Sequence, residues 1–254
     1  MQEKKITVVD IGASYGSFIL YILKTLKKKE IKFNLFAIEP IKEVTAKLKE
    51  NKEIRLFNLA ISNKSNITNT AYLNKLNNFE ISSLKKINKN IDKVLWKSHI
   101  SGLEIKERVK VETSSLSDFI DINNIKEIDF LKIDTQGLDL EVFLSAKNYI
   151  NIINSAVLEF PYDSQSSLYD DETTLIEALE ILEKKGFYPV RIVPNGGGEC
   201  NLFIYNKNFG IDAYFKLEDL LDLKKAPTLK IKLENIYLDK IKNKIKIFLR
   251  FIKF

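Results

Sequence analysis

An acid and two glycines follow the first apolar run of the chain, in the stretch VVDIGASYGSF. Asp10 ends the run, and Gly12 and Gly16 stand four residues apart in the segment after it. Glycine allows a backbone to approach a ligand closely, and the N-terminus of a following helix offers unpaired N–H groups. This order of residue types is typical of a loop that binds a nucleotide or a related ligand.

The spacing of the glycines favours one ligand over another. A dinucleotide-binding loop has the pattern G-x-G-x-x-G, but Ser14 stands here where the middle glycine would be. The pattern suits a smaller zwitterion better, because N–H groups of the turn can bind a carboxylate and Asp10 an ammonium group. Glu39 ends the next apolar run, where a carboxylate can accept hydrogen bonds from both hydroxyls of a ribose. We therefore predict S-adenosylmethionine as the cofactor, with a tight turn that binds no ligand as the alternative.

Methyl transfer to an alcohol requires a proton acceptor, and three residues are candidates for this role. Asp134 ends a central apolar run, although it can also cap a helix or orient the cofactor. His99 has a suitable ordinary pKa, but a lone histidine in a polar segment is commonly a surface residue. Glu159 ends the run AVLEF, with a structural contact to a loop as its alternative role. Asp134, Asp139 and Glu159 also have the ligand type of Mg²⁺, but they are scattered and we predict no metal.

The elements that must position these residues follow from the pattern of apolar residues. Apolar runs predict strands at 6–10, 33–39, 54–62, 128–134 and 155–160. Helices are predicted at 17–29, 41–51, 138–149 and 172–185, and Gly186 ends the last of them. Residues 188–193 and 201–205 predict a closing antiparallel pair around PNGGGE. The prediction is an α/β fold with a Rossmann-like, doubly wound and mostly parallel sheet.

A long polar insertion, residues 63–107, separates the predicted third and fourth main strands. It contains the segment ISSL and the single tryptophan and histidine, Trp96 and His99. Insertions of this size in a domain are commonly lids or binding loops, so we expect the acceptor to bind here. We assign residues 1–210 to the main domain and residues 211–254 to a C-terminal extension.

Charge and cysteine content restrict the setting of the protein. The net charge of +6 lies entirely in residues 229–254, so the neutral remainder argues against nucleic acid as a partner. A single cysteine, Cys200, cannot form an internal disulfide, and no signal peptide precedes the first strand, so we expect a cytoplasmic protein.

The basic tail has the pattern of an amphipathic helix. Its apolar residues recur at intervals of three and four, at Leu238, Ile241, Ile245, Phe248 and Ile252, and lysines occupy much of the remaining surface. Such a helix can lie on an anionic membrane, which would place the protein at the cytosolic membrane face. The alternative is that its apolar stripe packs on the main domain or on a second subunit in a homodimer.

Several motifs in a fixed order resemble those of FkbM-type methyltransferases, which are class I enzymes that use S-adenosylmethionine. The motifs are VVDIGASYGSF, FAIEP, NLAIS, ISSL and FLKIDTQGLDLEV, within about residues 6–206. The resemblance implies transfer to a hydroxyl group, often of a sugar or a natural product. Two residues differ from the family pattern: Asp139 stands where glutamate is usual, and Ser145 where glycine is usual. Aspartate is one methylene group shorter than glutamate, so the sequence leaves open any role of Asp139 that depends on the longer side chain.

The resemblance also implies roles for individual residues. The methionine part of the cofactor would contact Asp10, Gly12, Ala13, Ser14, Tyr15, Gly16 and Ser17. Glu39, next to Pro40, would bind the ribose, and Ala60 would lie at the adenine edge. Ser83, Asp134 and Gln136 would lie near the methyl group and the acceptor.

We therefore predict O-methylation of a sugar hydroxyl in a glycan, a glycolipid or a polysaccharide precursor. A nicotinamide-dependent oxidoreductase on a related fold is one alternative. A non-catalytic binding module on a methyltransferase scaffold is another, and the retained Asp10, Gly12 and Glu39 argue against it.

Overall fold

Strands and helices alternate along the computed structural model of the protein, which describes residues 4–64, 67–73, 81–91, 96, 107–226 and 229. Its strands are β1 Ile6–Ile11, β2 Phe33–Ile38, β3 Ile54–Phe57, β4 Ala60–Ile61, β5 Ile67–Leu73, β6 Glu107–Ser114, β7 Ile128–Ile133, β8 Ile153–Pro161, β9 Phe187–Gly196 and β10 Glu199–Asn206. Its α-helices are α1 Ser17–Lys28, α2 Ala46–Lys49, α3 Leu116–Ile122, α4 Asp139–Leu144, α5 Leu175–Lys184 and α6 Ile211–Leu221.

The main sheet has seven strands in the order β3-β2-β1-β7-β8-β10-β9. The strands from β3 to β8 are parallel, and β10 and β9 close the edge in antiparallel pairing. Every residue of β7 and β8 is buried. Strands covered on both faces are mainly apolar on both sides, which explains the mostly apolar sequences of β7 and β8. The predicted fold class is therefore confirmed.

Two apolar clusters cover the two faces of the main sheet. One includes Phe119 of α3, Phe143 of α4 and Leu179 of α5. The other includes Ile22 of α1 and Leu217 of α6. Helices on both faces confirm the doubly wound arrangement, and they leave the ends of the strands free to form a site.

The predicted third strand, residues 54–62, is wrong as a single strand. Only β3 belongs to the main sheet, whereas β4 belongs to a second sheet in the order β4-β6-β5. Asn58 lies between the two strands and donates its side-chain amide to the Glu39 carbonyl over 3.1 Å, which interrupts the extended chain. The start of the predicted insertion forms β5, which pairs with β6 in antiparallel fashion. Part of the predicted insertion is therefore sheet.

The helix predicted for residues 138–149 is interrupted near its middle. It consists of α4 and a separate 3-10 helix, Lys147–Ile152. Ser145 follows α4, and its hydroxyl donates to the Val142 carbonyl over 2.7 Å and accepts from the Leu116 amide over 2.9 Å. Lys147 has a φ of 51°, which an α-helix does not allow. The serine that departs from the family pattern thus attaches α4 to the start of α3.

The helix predicted to start at Glu172 begins at Leu175. Thr174 and Glu177 form a capping box, in which the Glu177 carboxylate accepts from the Thr174 amide over 2.8 Å. Glu172 lies outside the helix and accepts hydrogen bonds from the amides of Leu168 and Tyr169. The cap therefore fixes the first residue of α5.

Residues 211–226 and Leu229 pack on the preceding part of the described chain. Tyr214 and Leu217 of α6 are buried in the apolar cluster that covers α1. The Tyr21 hydroxyl donates to the Asp222 carbonyl over 2.9 Å, and Leu229 is also buried. The amphipathic helix predicted from Glu234 onward lies outside the described residues. Within the described ranges, no helix has the length and apolar content that crossing a membrane requires.

Candidate active site

Three acids meet at the carboxyl ends of neighbouring strands. Asp10 in β1 pairs with Ala37 of β2 and Lys132 of β7, so the ends of these strands align. Glu39 and Asp134 follow directly after β2 and β7. Open α/β sheets bind ligands at this edge. A cavity of about 210 Å³ lies here.

Nearly all of the predicted cofactor residues line this cavity. They are Asp10, Gly12, Ala13, Ser14, Tyr15, Ser17, Glu39, Pro40, Ala60, Ser83 and Asp134. Gly16 is the exception, since it lies behind the loop against the side chain of Leu48. Ile81, Ser82, Leu84 and Trp96, from the predicted insertion, also line the cavity.

Gly12 lies where a side chain cannot fit. Its φ is 75°, and a Cβ added to it would overlap the carbonyl oxygen of Asp134. The amides of Gly12 and Ala13 both donate to the Ile38 carbonyl, over 3.0 and 3.1 Å. The turn therefore packs directly against the ends of β2 and β7, which explains the glycine in the sequence motif.

Asp10 is a fully buried carboxyl group that faces the cavity. Neither of its oxygens has a hydrogen-bond partner among the described residues, and Lys132 Nζ lies 3.6 Å from Oδ1. Burial raises the pKa of Asp10 to about 6, although the charge of Lys132 opposes the shift. Buried polar atoms without a partner are costly, so a ligand with N–H donors, such as an ammonium group, fits this position.

Glu39 connects the loop after β1 with the end of β2. Its Oε2 accepts from the Ser14 amide over 2.8 Å, and its Oε1 accepts from the Ile41 amide over 2.9 Å. Burial raises the pKa of Glu39 to about 7, although both amides lower it. Each carboxylate oxygen can accept two hydrogen bonds, so both retain a position for a ribose hydroxyl.

A polar cluster occupies the other half of the cavity. Asp134 Oδ2 lies 3.0 Å from Lys132 Nζ, and Oδ1 accepts from Gln136 Nε2 over 2.8 Å. The same amide nitrogen lies 3.3 Å from Glu159 Oε2. The structure thus brings together three of the predicted catalytic residues, whereas His99 lies outside the described residues.

Gln136 is held in one orientation by its neighbours. The Tyr169 hydroxyl donates to Gln136 Oε1 over 2.8 Å, which points the amide nitrogen toward the two carboxylates. Ser83 Oγ donates to the Gln136 carbonyl over 2.5 Å, and the φ of Gln136 is 56°. A left-handed conformation at a residue other than glycine requires such fixation by the surrounding structure.

Asp139, the acid that departs from the family pattern, has a role within the protein. Its Oδ2 accepts from the amide and the hydroxyl of Thr135, and its Oδ1 accepts from the Glu159 amide, each over 2.9 Å. Burial raises the pKa of Asp139 to about 7. The shorter carboxylate therefore joins the loop after β7 to β8 instead of lining the cavity.

The sequence interpretation missed two ionisable residues that line the cavity. Lys132 is buried, and the charges of Asp134 and Asp10 raise its pKa although burial opposes them. Glu199 of β10 also lines the cavity. Each had a signal in the sequence, since Lys132 interrupts the apolar run FLKID and Glu199 ends the turn PNGGGE.

Amide and aromatic groups were missed as well. Asn195 of β9 donates its side-chain amide to Glu159 Oε1, and Tyr169 orients Gln136. Within the described part of the chain, no group of histidine, cysteine, aspartate and glutamate has the arrangement of a metal site.

The open α/β sheet carries acids at the ends of β2, β1 and β7, and a glycine turn follows β1. This arrangement is typical of proteins that bind a nucleotide-like ligand. Residues 10–188 match the family model described as "Methyltransferase FkbM domain", and the chain belongs to this family. It is therefore a methyltransferase with S-adenosylmethionine as its cofactor, as the motifs predict. The family does not support the alternative of a nicotinamide-dependent oxidoreductase.

Individual relatives are distant. A protein named Methyltransferase 1, from Beauveria bassiana (strain ARSEF 2860), is 23% identical over 197 residues, which cover 71% of each chain. A solved structure of a SAM-dependent methyltransferase from Aquifex aeolicus is 14% identical, with a TM-score of 0.37 over 79% of this chain and 82% of that chain. The structure of LepI in complex with SAM is 12% identical, with a TM-score of 0.37 over 81% of this chain and 44% of that chain. The assignment depends on the family match alone.

Proposed function

We propose that the protein transfers a methyl group from S-adenosylmethionine to a hydroxyl group of a sugar in a glycan, a glycolipid or a polysaccharide precursor. One observation carries the proposal. The buried carboxyl group of Asp10, whose oxygens have no hydrogen-bond partner among the described residues, and the fixed carboxylate of Asp134 line the same cavity. Membership in the FkbM family supports a hydroxyl acceptor.

The cofactor half of the cavity suits the two ends of a methionine group. Asp10 would bind the ammonium group. The amides of Gly12, Ala13, Ser14 and Gly16 already donate within the protein, so they are not available to a carboxylate. The carboxylate would therefore lie at the N-terminus of α1, where the positive end of the helix dipole favours negative charge.

S-adenosylmethionine supplies a methyl group on a sulfonium centre. Asp134 is the proposed acceptor of the hydroxyl proton, because its side chain is 35% exposed and the other carboxylates of the cluster are more deeply buried. Lys132 and Gln136 hold its two oxygens, which fixes the direction from which a hydroxyl can approach. Positioning of the acceptor in line with the methyl group accounts for much of the rate.

The proposed setting follows from the same assignment. We place the enzyme in the cytoplasm, with residues 229–254 at the cytosolic face of a membrane that holds a lipid-linked acceptor. Association of two subunits through the apolar stripe of the same segment is the alternative.

Two measurements test the function. Calorimetry should detect binding of S-adenosylhomocysteine and no binding of NAD. When cell extract is incubated with the protein and S-adenosylmethionine labelled on its methyl group, the label should enter the glycan or glycolipid fraction of the extract. Label in protein or RNA would contradict the sugar acceptor, and binding without any transfer would indicate a non-catalytic module.

The Asp134→Asn variant should bind S-adenosylhomocysteine and lose most of the transfer. Asp129→Asn is the matched control, because Asp129 is a buried acid of the same strand whose Oδ2 accepts from the Thr7 amide over 2.8 Å. Asp129 does not line the cavity. Equal transfer by both variants would remove Asp134 as the proton acceptor.

A further inference from the structure

Glu199 is a buried acid whose carboxyl group faces the cavity. It is 7% exposed and lines the cavity, and no hydrogen bond to its carboxyl group is present among the described residues. In the register of β8 and β10, Glu199 pairs with Pro161 and Asn201 pairs with Glu159. Since side chains alternate along a strand, Glu159 and Glu199 project from the same face of adjacent strands. The two acids therefore form a pair at one end of the cavity.

The charge of the cavity limits what can bind beside this pair. Asp10, Glu39, Asp134, Glu159 and Glu199 all line it. Lys132 is the one cationic side chain among the lining residues that the structure describes, and it already contacts Asp10 and Asp134. A phosphate or carboxylate on the ligand would find no free cation here, and like charges in a buried site repel strongly.

An aromatic side chain lies at the same end of the cavity. Trp96 is 3% exposed, and its Nε1 donates to the Ser166 carbonyl over 3.2 Å. Its ring packs on the turn between β9 and β10, where a Cβ added to Gly197 would come within 2.7 Å of it. Ligand sites commonly combine aromatic surface with a few convergent polar groups. Trp96 lines the cavity, so it contributes apolar surface at this end.

We propose that Glu159 and Glu199, beside Trp96, form the acceptor subsite, and that it binds an uncharged group with neighbouring hydroxyls, as in a neutral sugar ring. Acceptors that carry a phosphate or a carboxylate on the bound ring are excluded from it. The inference rests on the proposed function, because it specifies which sugars the same site accepts. Glu199 is a binding residue in this account, and Asp134 remains the proton acceptor.

The protonation of the pair agrees with an uncharged ligand. Burial, and then the charge of Glu159, raise the pKa of Glu199 well above its ordinary value, and burial does the same for Glu159. A protonated carboxyl group donates a hydrogen bond and an ionised one accepts. A hydroxyl group does both, so it suits acids whose charged form is disfavoured by burial. An ammonium group only donates, so it is bound best by ionised acids, which burial disfavours.

Ligand-observed NMR tests the subsite with small probes. The full chain is saturated with S-adenosylhomocysteine, and saturation transfer is measured to a panel of neutral methyl glycosides. Methyl glucoside is compared with its anionic and cationic counterparts, methyl glucuronide and methyl glucosaminide. We expect transfer to neutral glycosides and none to the glucuronide.

Two substitutions separate the roles of charge and hydrogen bonding. Glu199→Ala should weaken binding of the neutral glycosides by roughly five- to tenfold, the effect of losing one buried hydrogen bond. Glu199→Gln should retain that binding and admit the glucuronide, because it removes the charge and keeps the shape. Glu112→Ala, in an exposed position of β6, is the control and should change neither. Affinity for S-adenosylhomocysteine is measured for each variant, and it should be retained.

Several results would overturn the inference. They are equal transfer to glucuronide and glucoside in the unmodified protein, stronger transfer to the glucosaminide, and unchanged neutral binding in Glu199→Ala. Absence of saturation transfer to every glycoside would also overturn the inference if S-adenosylhomocysteine still binds. The cofactor assignment would stand in that case. Failure of the proposed function appears differently, as loss of cofactor binding or as methyl label in protein or RNA.

Discussion

The backbone amide of Ser14 donates to Glu39 Oε2 over 2.8 Å, and this hydrogen bond joins the loop after β1 to the end of β2. The two segments that the cofactor is expected to touch are thus connected before any ligand binds. A substitution at Glu39 should therefore act on the shape of the loop as well as on a ribose contact.

Glu39→Gln should lower the affinity for S-adenosylhomocysteine by about ten- to a hundredfold. The amide has one acceptor oxygen, so it cannot serve both the Ser14 and the Ile41 amides and also a ribose. A hydrogen bond to a charged group contributes about 1.5–3 kcal/mol, which gives this range. Calorimetry measures the affinity, with Glu112→Gln on the exposed side of β6 as control. Unchanged affinity would exclude Glu39 from the cofactor site.

The stability of the ligand-free protein should fall as the pH rises from about 4 to about 7. The pKa of Asp10 is raised from 3.8 to about 6 and that of Asp139 from 3.8 to about 7, so the folded state binds more protons than the unfolded state in this window. Thermal unfolding at a series of pH values measures the slope. Asp10→Asn should reduce it, because the amide does not titrate. Affinity for S-adenosylhomocysteine should change in the opposite direction and rise through pH 6, since an ammonium group binds the ionised form of Asp10. A slope that is the same in Asp10→Asn would contradict the assignment.

Gly12→Ala should abolish cofactor binding. The added methyl group would overlap the Asp134 carbonyl, and the backbone at a φ of 75° disfavours alanine. Gly186→Ala provides a matched control, because Gly186 has a φ of 83° but meets only the flexible side chain of Lys207. The control should lower the midpoint of thermal unfolding and leave the affinity for S-adenosylhomocysteine intact. Binding by Gly12→Ala at the original affinity would contradict the close packing of the loop.

Tyr169→Phe should slow methyl transfer by roughly tenfold and leave cofactor affinity unchanged. The loss of its hydroxyl frees the Gln136 amide to rotate, and the two carboxylates then lose a fixed hydrogen-bond donor. Tyr214→Phe is the control: its hydroxyl donates to Glu218 in the cluster around α6, away from the cavity, over 3.0 Å. The Tyr169 hydroxyl also lies 2.9 Å from the Ile81 carbonyl, so Tyr169→Phe should lower stability at least as much as Tyr214→Phe does. Equal transfer rates in the two variants would show that Tyr169 does not position Gln136.

The basic tail should confer binding to vesicles that contain anionic lipid. A chain that ends at Leu229 should lose this binding and keep its fold, because it retains every described residue of the apolar cluster that includes α1 and α6. Sedimentation with vesicles at low and high salt measures the effect, since salt screens the attraction of lysines to lipid. Vesicles of neutral lipid are the control. Salt-independent binding, or equal binding by both chains, would refute a membrane role for the tail.

The central strands and the acids at their ends could be predicted because their signals are local. A strand covered on both faces needs a continuous apolar run, and the first charged residue after it lies at the ligand edge. This reasoning located Asp10, Glu39 and Asp134 in sequence. Their arrangement around one cavity follows directly from the parallel order of the strands.

Other features depend on contacts between distant segments, which a single sequence does not reveal. The segment from Ile54 to Ser62 is mostly apolar, and its division between two sheets around Asn58, whose side chain donates to the Glu39 carbonyl, is not apparent from the sequence. Lys132 interrupts an apolar run, but its partners Asp10 and Asp134 become apparent only when β1 and β7 pair. Glu199 enters the cavity because β10 lies beside β8.

The second sheet also bears on how this scaffold can diversify. Leu73 pairs with Glu107, so the chain leaves β5 and re-enters β6 at the same point. We expect sequence change in this stretch to be tolerated unevenly, while β4 keeps its pairing with Thr113 and Ser114. Ser83 is a fixed point within it, because its hydroxyl donates to the Gln136 carbonyl and so supports the residue whose amide contacts Asp134.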